Sequence, residues 1–124
     1  MRLRALPGRY AVCRLGPDEA IPPAVAAARF AAITRTAGEL SIVCEEALAP
    51  ADAPCEAGWS CLGLEGPIPF TAIGVLASVL APLAQAHIGI FAVSTFDTDY
   101  LLVKEVALPA AVAAPRRAGH EVAE

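Results

Sequence analysis

Ser94-Thr95-Phe96-Asp97-Thr98-Asp99-Tyr100-Leu101-Leu102-Val103 places a polar turn inside apolar sequence. Asp97-Thr98-Asp99 is a turn tripeptide, because Asp and Thr side chains hydrogen-bond the neighbouring backbone. Before it, Ile88-Gly89-Ile90-Phe91-Ala92-Val93 is a short continuous apolar run of the buried-strand kind. After it, Tyr100–Lys104 is a second such run. The three together predict a hairpin with strands over Ile88–Thr95 and Tyr100–Lys104.

Working outward, Ile73, Leu76, Leu80 and Leu83 recur at helical spacing, with Thr71, Gly74, Ser78 and Gln85 on the opposite face. A helix from Phe70 to about Gln85 follows, preceded by a turn at Gly66-Pro67-Ile68-Pro69 and a strand over Trp59–Leu64. On the far side, a first-turn proline and Gly119 past the end predict a helix from Pro109 towards Arg117. Pro115 should break or kink it near its end. A last strand covers His120–Val122. The first half is less regular. Tyr10–Leu15 is a strand, and the paired prolines of Ile21-Pro22-Pro23-Ala24-Val25-Ala26 start a short helix. Arg29–Thr34 and Glu39–Glu45 are strands joined around Thr36-Ala37-Gly38. Leu40, Ile42 and Cys44 alternate with Glu39, Ser41, Val43 and Glu45, one face buried and one partly solvated. Ala47 to Ala57 has no period and reads as a loop. The order βαββαβ is the split-βαβ arrangement of ferredoxin-like folds, an α+β chain with antiparallel sheets and helices on one face.

Composition narrows the function. The 124 residues are 56 % hydrophobic and 18 % charged, and 28 are alanine. That excludes disorder, which needs low hydrophobicity and high net charge, and it fits one compact domain or two very small half-domains. Net charge is -4 with no basic stripe, so nucleic acid is not an expected partner. From Gly66 to Phe96 no residue is formally charged, a length that could cross a bilayer. Pro82, Gln85, His87 and Gly89 interrupt it, however, and its flanks are Glu65 and Asp97 in place of Lys/Arg anchors. A helix followed by a strand explains it better, and no membrane is expected. Cys13, Cys44, Cys55 and Cys61 form no CxxC pair, and all but Cys55 sit in strand-like runs. They are expected to be buried reduced thiols, ahead of disulfides or metal ligands. His87 and His120 have no metal-ligand spacing. No metal or cofactor is expected. Two arginines near the N-terminus precede no apolar stretch of signal-peptide length, so the chain reads as cytoplasmic.

At three stretches the chain resembles a known family. They are Glu39-Leu40-Ser41-Ile42-Val43-Cys44, Phe70-Thr71-Ala72-Ile73-Gly74 leading into Leu80-Ala81-Pro82-Leu83-Ala84, and above all Ser94 to Val103. Together they look like the small bacterial proteins with two ACT-like halves, related to CASTOR-type arginine sensors and to the regulatory domains of aspartate kinases. The resemblance implies an incomplete N-terminal ACT-like half over residues 1–57 and an ACT domain over 58–124. It also implies a non-catalytic module that binds and senses a small molecule, most readily an amino acid, as a homodimer acting through subunit or half-domain pairing. Carried over by position, the ligand contacts would be Thr71 and Gly74 on the helix, Gly89 and Ile90 on the strand, and Thr95, Phe96 and Asp99 on the turn. The arginine sensors carry an acidic residue where Ala72 stands here, which weakens the case for a guanidinium pocket.

The residues themselves support such a site in part. Backbone amides of Ile68, Phe70, Thr71 and Ala72 before the helix suit an anion, although Pro67 and Pro69 supply none. Asp99 can accept from an ammonium or guanidinium. The duller alternatives stay open: Asp99 as a turn-former, Gly74 as a packing glycine, Phe96 as core. An interaction module with a closed pocket is the rival reading. Catalysis would need a nucleophile with a base, a carboxylate pair or a metal set, and no signature surrounds Cys13, Cys44, Cys61, His87 or His120. The sequence names no downstream protein partner.

Overall fold

A computed structural model describes all 124 residues. In chain order the elements are β1 (Arg2–Ala5), β2 (Tyr10–Leu15), α1 (Pro23–Ala26), β3 (Ala31–Arg35), β4 (Leu40–Glu45), β5 (Cys55–Leu64), α2 (Val75–Gln85), β6 (Ile90–Ser94), β7 (Asp99–Lys104), α3 (Leu108–Arg117) and β8 (Glu121–Ala123). Two compact units result: Gly8–Trp59, and Met1–Pro7 together with Ser60–Glu124. The sequence-based division at residues 57 and 58 treats each half as one continuous stretch, whereas the larger unit also takes in the first seven residues.

The smaller unit has strand order β3-β4-β2-β5, with every pairing antiparallel. This is the ferredoxin-like order, but a 3₁₀ turn at Glu46–Leu48 stands where a second helix would be. Alternation along β4 sends Leu40, Ile42 and Cys44 into a core with Ala11, Cys13, Leu15 and Val25. Val43, on the other face, is buried as well. Cys55 opposes Cys13 across β5 and β2, their Cα atoms 4.1 Å apart, and the two are joined by a disulfide. This corrects the expectation of four reduced thiols. β5 begins at Cys55, inside the stretch read as loop, and that start carries the cysteine to its partner. Cys44 and Cys61 are free and buried.

In the larger unit β7 pairs with β5 and β6. β1 pairs antiparallel with β5, Leu3 opposite Leu64, and parallel with β8, Leu3 opposite Val122. β1 thus lies between the strands that a plain ferredoxin-like sheet would set side by side. Leu3, Leu62, Leu64, Leu101, Val103 and Val122 from the strands meet Val79 and Leu83 of α2 and Ala111 and Val112 of α3 in one core.

Both long helices contain a proline and continue past it. Pro115 is buried within α3, which runs on to Arg117 as its pattern predicts, so the proline does not break it. Pro82 in α2 has no N–H for the Ser78 carbonyl four residues back. His120 replaces that donor, its Nε2 lying 3.0 Å from the Ser78 oxygen. α2 starts at Val75, five residues later than its periodicity predicted. Pro69 restrains the residue before it, and Gly74 has φ 75°, a left-handed conformation that ends any helix drawn through it. No helix is long and apolar enough to cross a membrane.

Candidate functional site

The β6–β7 turn and the β5–α2 loop are built as one piece. Thr95 N–H donates to the Thr98 carbonyl at 2.8 Å. The Thr95 hydroxyl accepts from Thr98 N–H and donates to the Thr98 carbonyl, both at 3.1 Å. Two bonds then tie the turn to the loop: Ile68 N–H to the Asp97 carbonyl at 2.6 Å, and the Thr98 hydroxyl to the Leu64 carbonyl at 2.6 Å. Gly66 makes this approach possible. A Cβ there would lie 2.9 Å from the Asp97 oxygen and 3.1 Å from Thr98 Cβ. Gly66→Ala is therefore expected to part loop from turn and to cost about 1–3 kcal/mol, in the range of overpacked sites. Urea denaturation measures this directly, and an unchanged midpoint would show that the loop yields freely.

Between loop, turn and the start of α2 lies a cavity of about 400 Å³, within the roughly 300–1,000 Å³ of small-molecule sites. Its walls differ in chemistry. On one side the first turn of α2 presents Val75, Leu76 and Ala77, whose amides have no partner within the helix. Gly74 at the cap supplies no side chain to take one of them. Opposite stand Asp97 and Asp99, with no cation among the lining residues. The half-buried Asp99 carboxylate accepts from the Ser94 hydroxyl and keeps lone pairs to spare. Phe70 and Phe96 flank the opening edge to face, ring centroids 4.9 Å apart. They are 75 % and 79 % exposed, and nearby Ile73 is 96 % exposed.

Of the nine residues singled out from the sequence, Ile68, Phe70, Gly74, Thr95, Phe96 and Asp99 border this cavity. Thr71, Gly89 and Ile90 do not. Thr71 lies in the turn before α2, not on the helix. Ile90 begins β6, four residues from Ser94 at the cavity end of that strand, which is about 13 Å of extended chain. The Thr95 hydroxyl serves its own turn. Sequence reasoning missed Val75, Leu76 and Ala77 because the helix start was drawn at Phe70, and Gly74 was the available signal for the true start. Alternation along the strand lets only one of Ser94 and Thr95 face the site, and Thr95 was the one expected; both border the cavity, and Ser94 is the partner of Asp99. No group of three or more His, Cys, Asp or Glu side chains is placed to hold a metal ion.

A family model for the ACT domain matches residues 55–114, and one for another family's N-terminal domain matches residues 8–52. The crystal structure of protein Atu0741 from Agobacterium tumefaciens is similar at 43 % identity and TM-score 0.90, over 98 % of this chain and 90 % of that one. The regulatory subunit of aspartate kinase from Thermus thermophilus is similar at TM-score 0.61 and 13 % identity, over 90 % of this chain and 93 % of its own. Aspartate kinase from Clostridium acetobutylicum matches at TM-score 0.68 and 11 % identity, over 94 % of this chain and 33 % of the kinase. At such identities the two kinases show a shared fold. No curated protein matches the sequence. With its likeness to Atu0741 along almost its whole length, the chain belongs to one family with that protein, and it carries an ACT domain over residues 55–114.

Proposed function

We propose that this protein is a non-catalytic regulatory module that binds a free amino acid in the cavity between the β5–α2 loop, the β6–β7 turn and the start of α2. The observation that carries the reading is the cavity's two-sided polarity. A free amino acid holds a carboxylate and an ammonium close together. Amides at the first turn of α2 suit the carboxylate, and Asp99, with Asp97 beside it, suits the ammonium. Ile68, Phe70, Val75 and Phe96 leave apolar surface for a side chain. Chemistry on the ligand is not part of this reading: Asp97 and Asp99 are the only titratable groups in the lining, and the Ser94 hydroxyl bonded to Asp99 has no His or Lys in the lining to serve as its base.

The proposal extends to a homodimer in the cytoplasm. Phe70 and Phe96 form an apolar rim at the opening, with Ile73 exposed in the same loop, a surface of the kind that marks interaction sites, and a second copy would remove it from water. Output would then follow from ligand-dependent pairing of subunits or half-domains, which requires different ligand contacts in the two states. The same rim also favours the second reading, a partner-binding module whose cavity takes no ligand.

One experiment separates the two. Thermal unfolding is measured with each of the twenty amino acids at millimolar concentration, on the wild type and on Asp99→Ala. A sensor gains about 2.7 kcal/mol at a hundredfold excess over its dissociation constant. One or a few amino acids should raise the wild-type melting temperature, and the shift should vanish in Asp99→Ala. A shift that survives the substitution removes Asp99 from the site, and no shift with any amino acid leaves the partner-binding reading.

A further inference from the structure

The smaller unit repeats the loop-and-turn framework of the larger one. Thr36 N–H donates to the Glu39 carbonyl at 2.9 Å, and the Thr36 hydroxyl accepts from Glu39 N–H at 3.2 Å. Thr95 and Thr98 make the same pair of bonds at the same spacing. Beyond each turn the strand runs into a 3₁₀ turn, Glu46–Leu48 in one unit and Glu105–Ala107 in the other. The loops share Gly-Pro and Ile-Pro pairs after a leucine, Leu15-Gly16-Pro17 and Ile21-Pro22 against Leu64, Gly66-Pro67 and Ile68-Pro69, the loop of the smaller unit being two residues longer.

The difference lies in the two side chains that flank the turn. Immediately before the turn threonine the larger unit has Ser94, bonded to Asp99. The smaller unit has Arg35 there, and Leu40, fully buried, at the place of Asp99. The Arg35 guanidinium reaches across to the loop and donates to the Pro17 carbonyl and to the Glu19 carbonyl at 2.9 Å. Two backbone carbonyls offer acceptors only. A planar cation with several N–H groups satisfies both at once, which a point-charge ammonium does less well.

We infer that the loop-and-turn region of the smaller unit is a second small-molecule site, for a guanidinium group, and that the chain's own Arg35 is its occupant. The wild-type protein then carries one open site per chain, the one in the larger unit. The inference borrows from the proposed function only the idea that this framework makes a site, and its test reads the smaller unit alone.

Arg35→Ala removes the side chain beyond Cβ, and ethylguanidinium is that missing piece. With full-length Arg35→Ala, ethylguanidinium at millimolar concentration should give saturable amide shifts at Gly16, Asp18 and Glu19 in two-dimensional NMR. The wild type should show none there, and ethylammonium should bind the variant at least tenfold more weakly. Three results overturn the inference: no saturation in the variant, the same response in the wild type, or shifts confined to Gly74, Thr95 and Asp99 of the larger unit. If Arg35→Ala unfolds the smaller unit, refolding by ethylguanidinium and not by ethylammonium supports the assignment. Equal failure of both overturns it. An amino-acid screen without a hit would leave these outcomes unaffected.

Discussion

Reduction of the Cys13–Cys55 disulfide is expected to lower the stability of the Gly8–Trp59 unit by about 4 kcal/mol, the loop-closure value for a cross-link of this span. The two cysteines are 42 positions apart, so the bridge encloses almost the whole unit. The effect is large because the unit has little else. Its core is seven residues, two of them cysteines and one an alanine, and a four-residue helix and a 3₁₀ turn cover it where a full ferredoxin-like unit would have two helices. Such small cores are commonly stapled. The single tryptophan, Trp59, ends this unit and reports its unfolding in urea with and without a phosphine reductant. A midpoint that does not move would mean the bridge contributes nothing. Thiol counting gives an independent check. Burial pushes the Cys61 thiol up to about 12. Burial, helped by the adjacent Glu45 charge, raises Cys44 too. Because the thiolate is the reactive form, the native oxidised protein should label slowly at pH 8, with two thiols released by denaturation and four after reduction. Disulfides persist in oxidising compartments and are rare in the cytosol, so in a reducing cytoplasm the smaller unit would lack this contribution.

The disulfide also shows where sequence reading stops. The hairpin around Asp97-Thr98-Asp99 was legible because turn chemistry and apolar runs are both local signals. β2, β4 and β7 fall within a residue of where alternation and composition put them. The errors come from pairing that no local window contains. β1 is four residues long with one fully buried side chain, Leu3, and becomes a strand only because β5 and β8, distant in sequence, accept it. Cys55 sits in Ala/Pro-rich sequence that reads as loop, yet it extends β5 opposite β2. Ile73 fitted the apolar helical stripe, but the left-handed Gly74 ends the helix first and leaves Ile73 in solvent. For the site, the turn residues and Gly74 were readable, whereas the α2 amides depend on a helix start that one glycine conformation sets.

Leu83→Ala is expected to cost about 2–5 kcal/mol, the range for deleting a buried leucine side chain and leaving a cavity. α2 has two buried residues, Val79 and Leu83, one turn apart on the face towards Leu62, Leu64, Leu101 and Val103. With Leu83 truncated, Val79 is the only fully buried side chain still holding the helix to the sheet. The consequence extends to the cavity, since Val75, Leu76 and Ala77 line it from the same helix, about 9–12 Å along its axis from Leu83 at 1.5 Å per residue. A dipole and amide set can bind an anion tightly only if it is already oriented when the anion arrives. Leu83→Ala should therefore lose denaturant stability and, at a temperature where it remains folded, bind any amino-acid ligand more weakly than the wild type although Leu83 does not line the cavity. Ala84→Ser, at an exposed position on the same helix, should change neither. A loss below 1 kcal/mol for Leu83→Ala would mean that α2 is not seated by this contact. A large loss with unchanged ligand affinity would mean that the amide wall is held by the β5–α2 loop and its bond from Ile68 to Asp97, and not by the helix core.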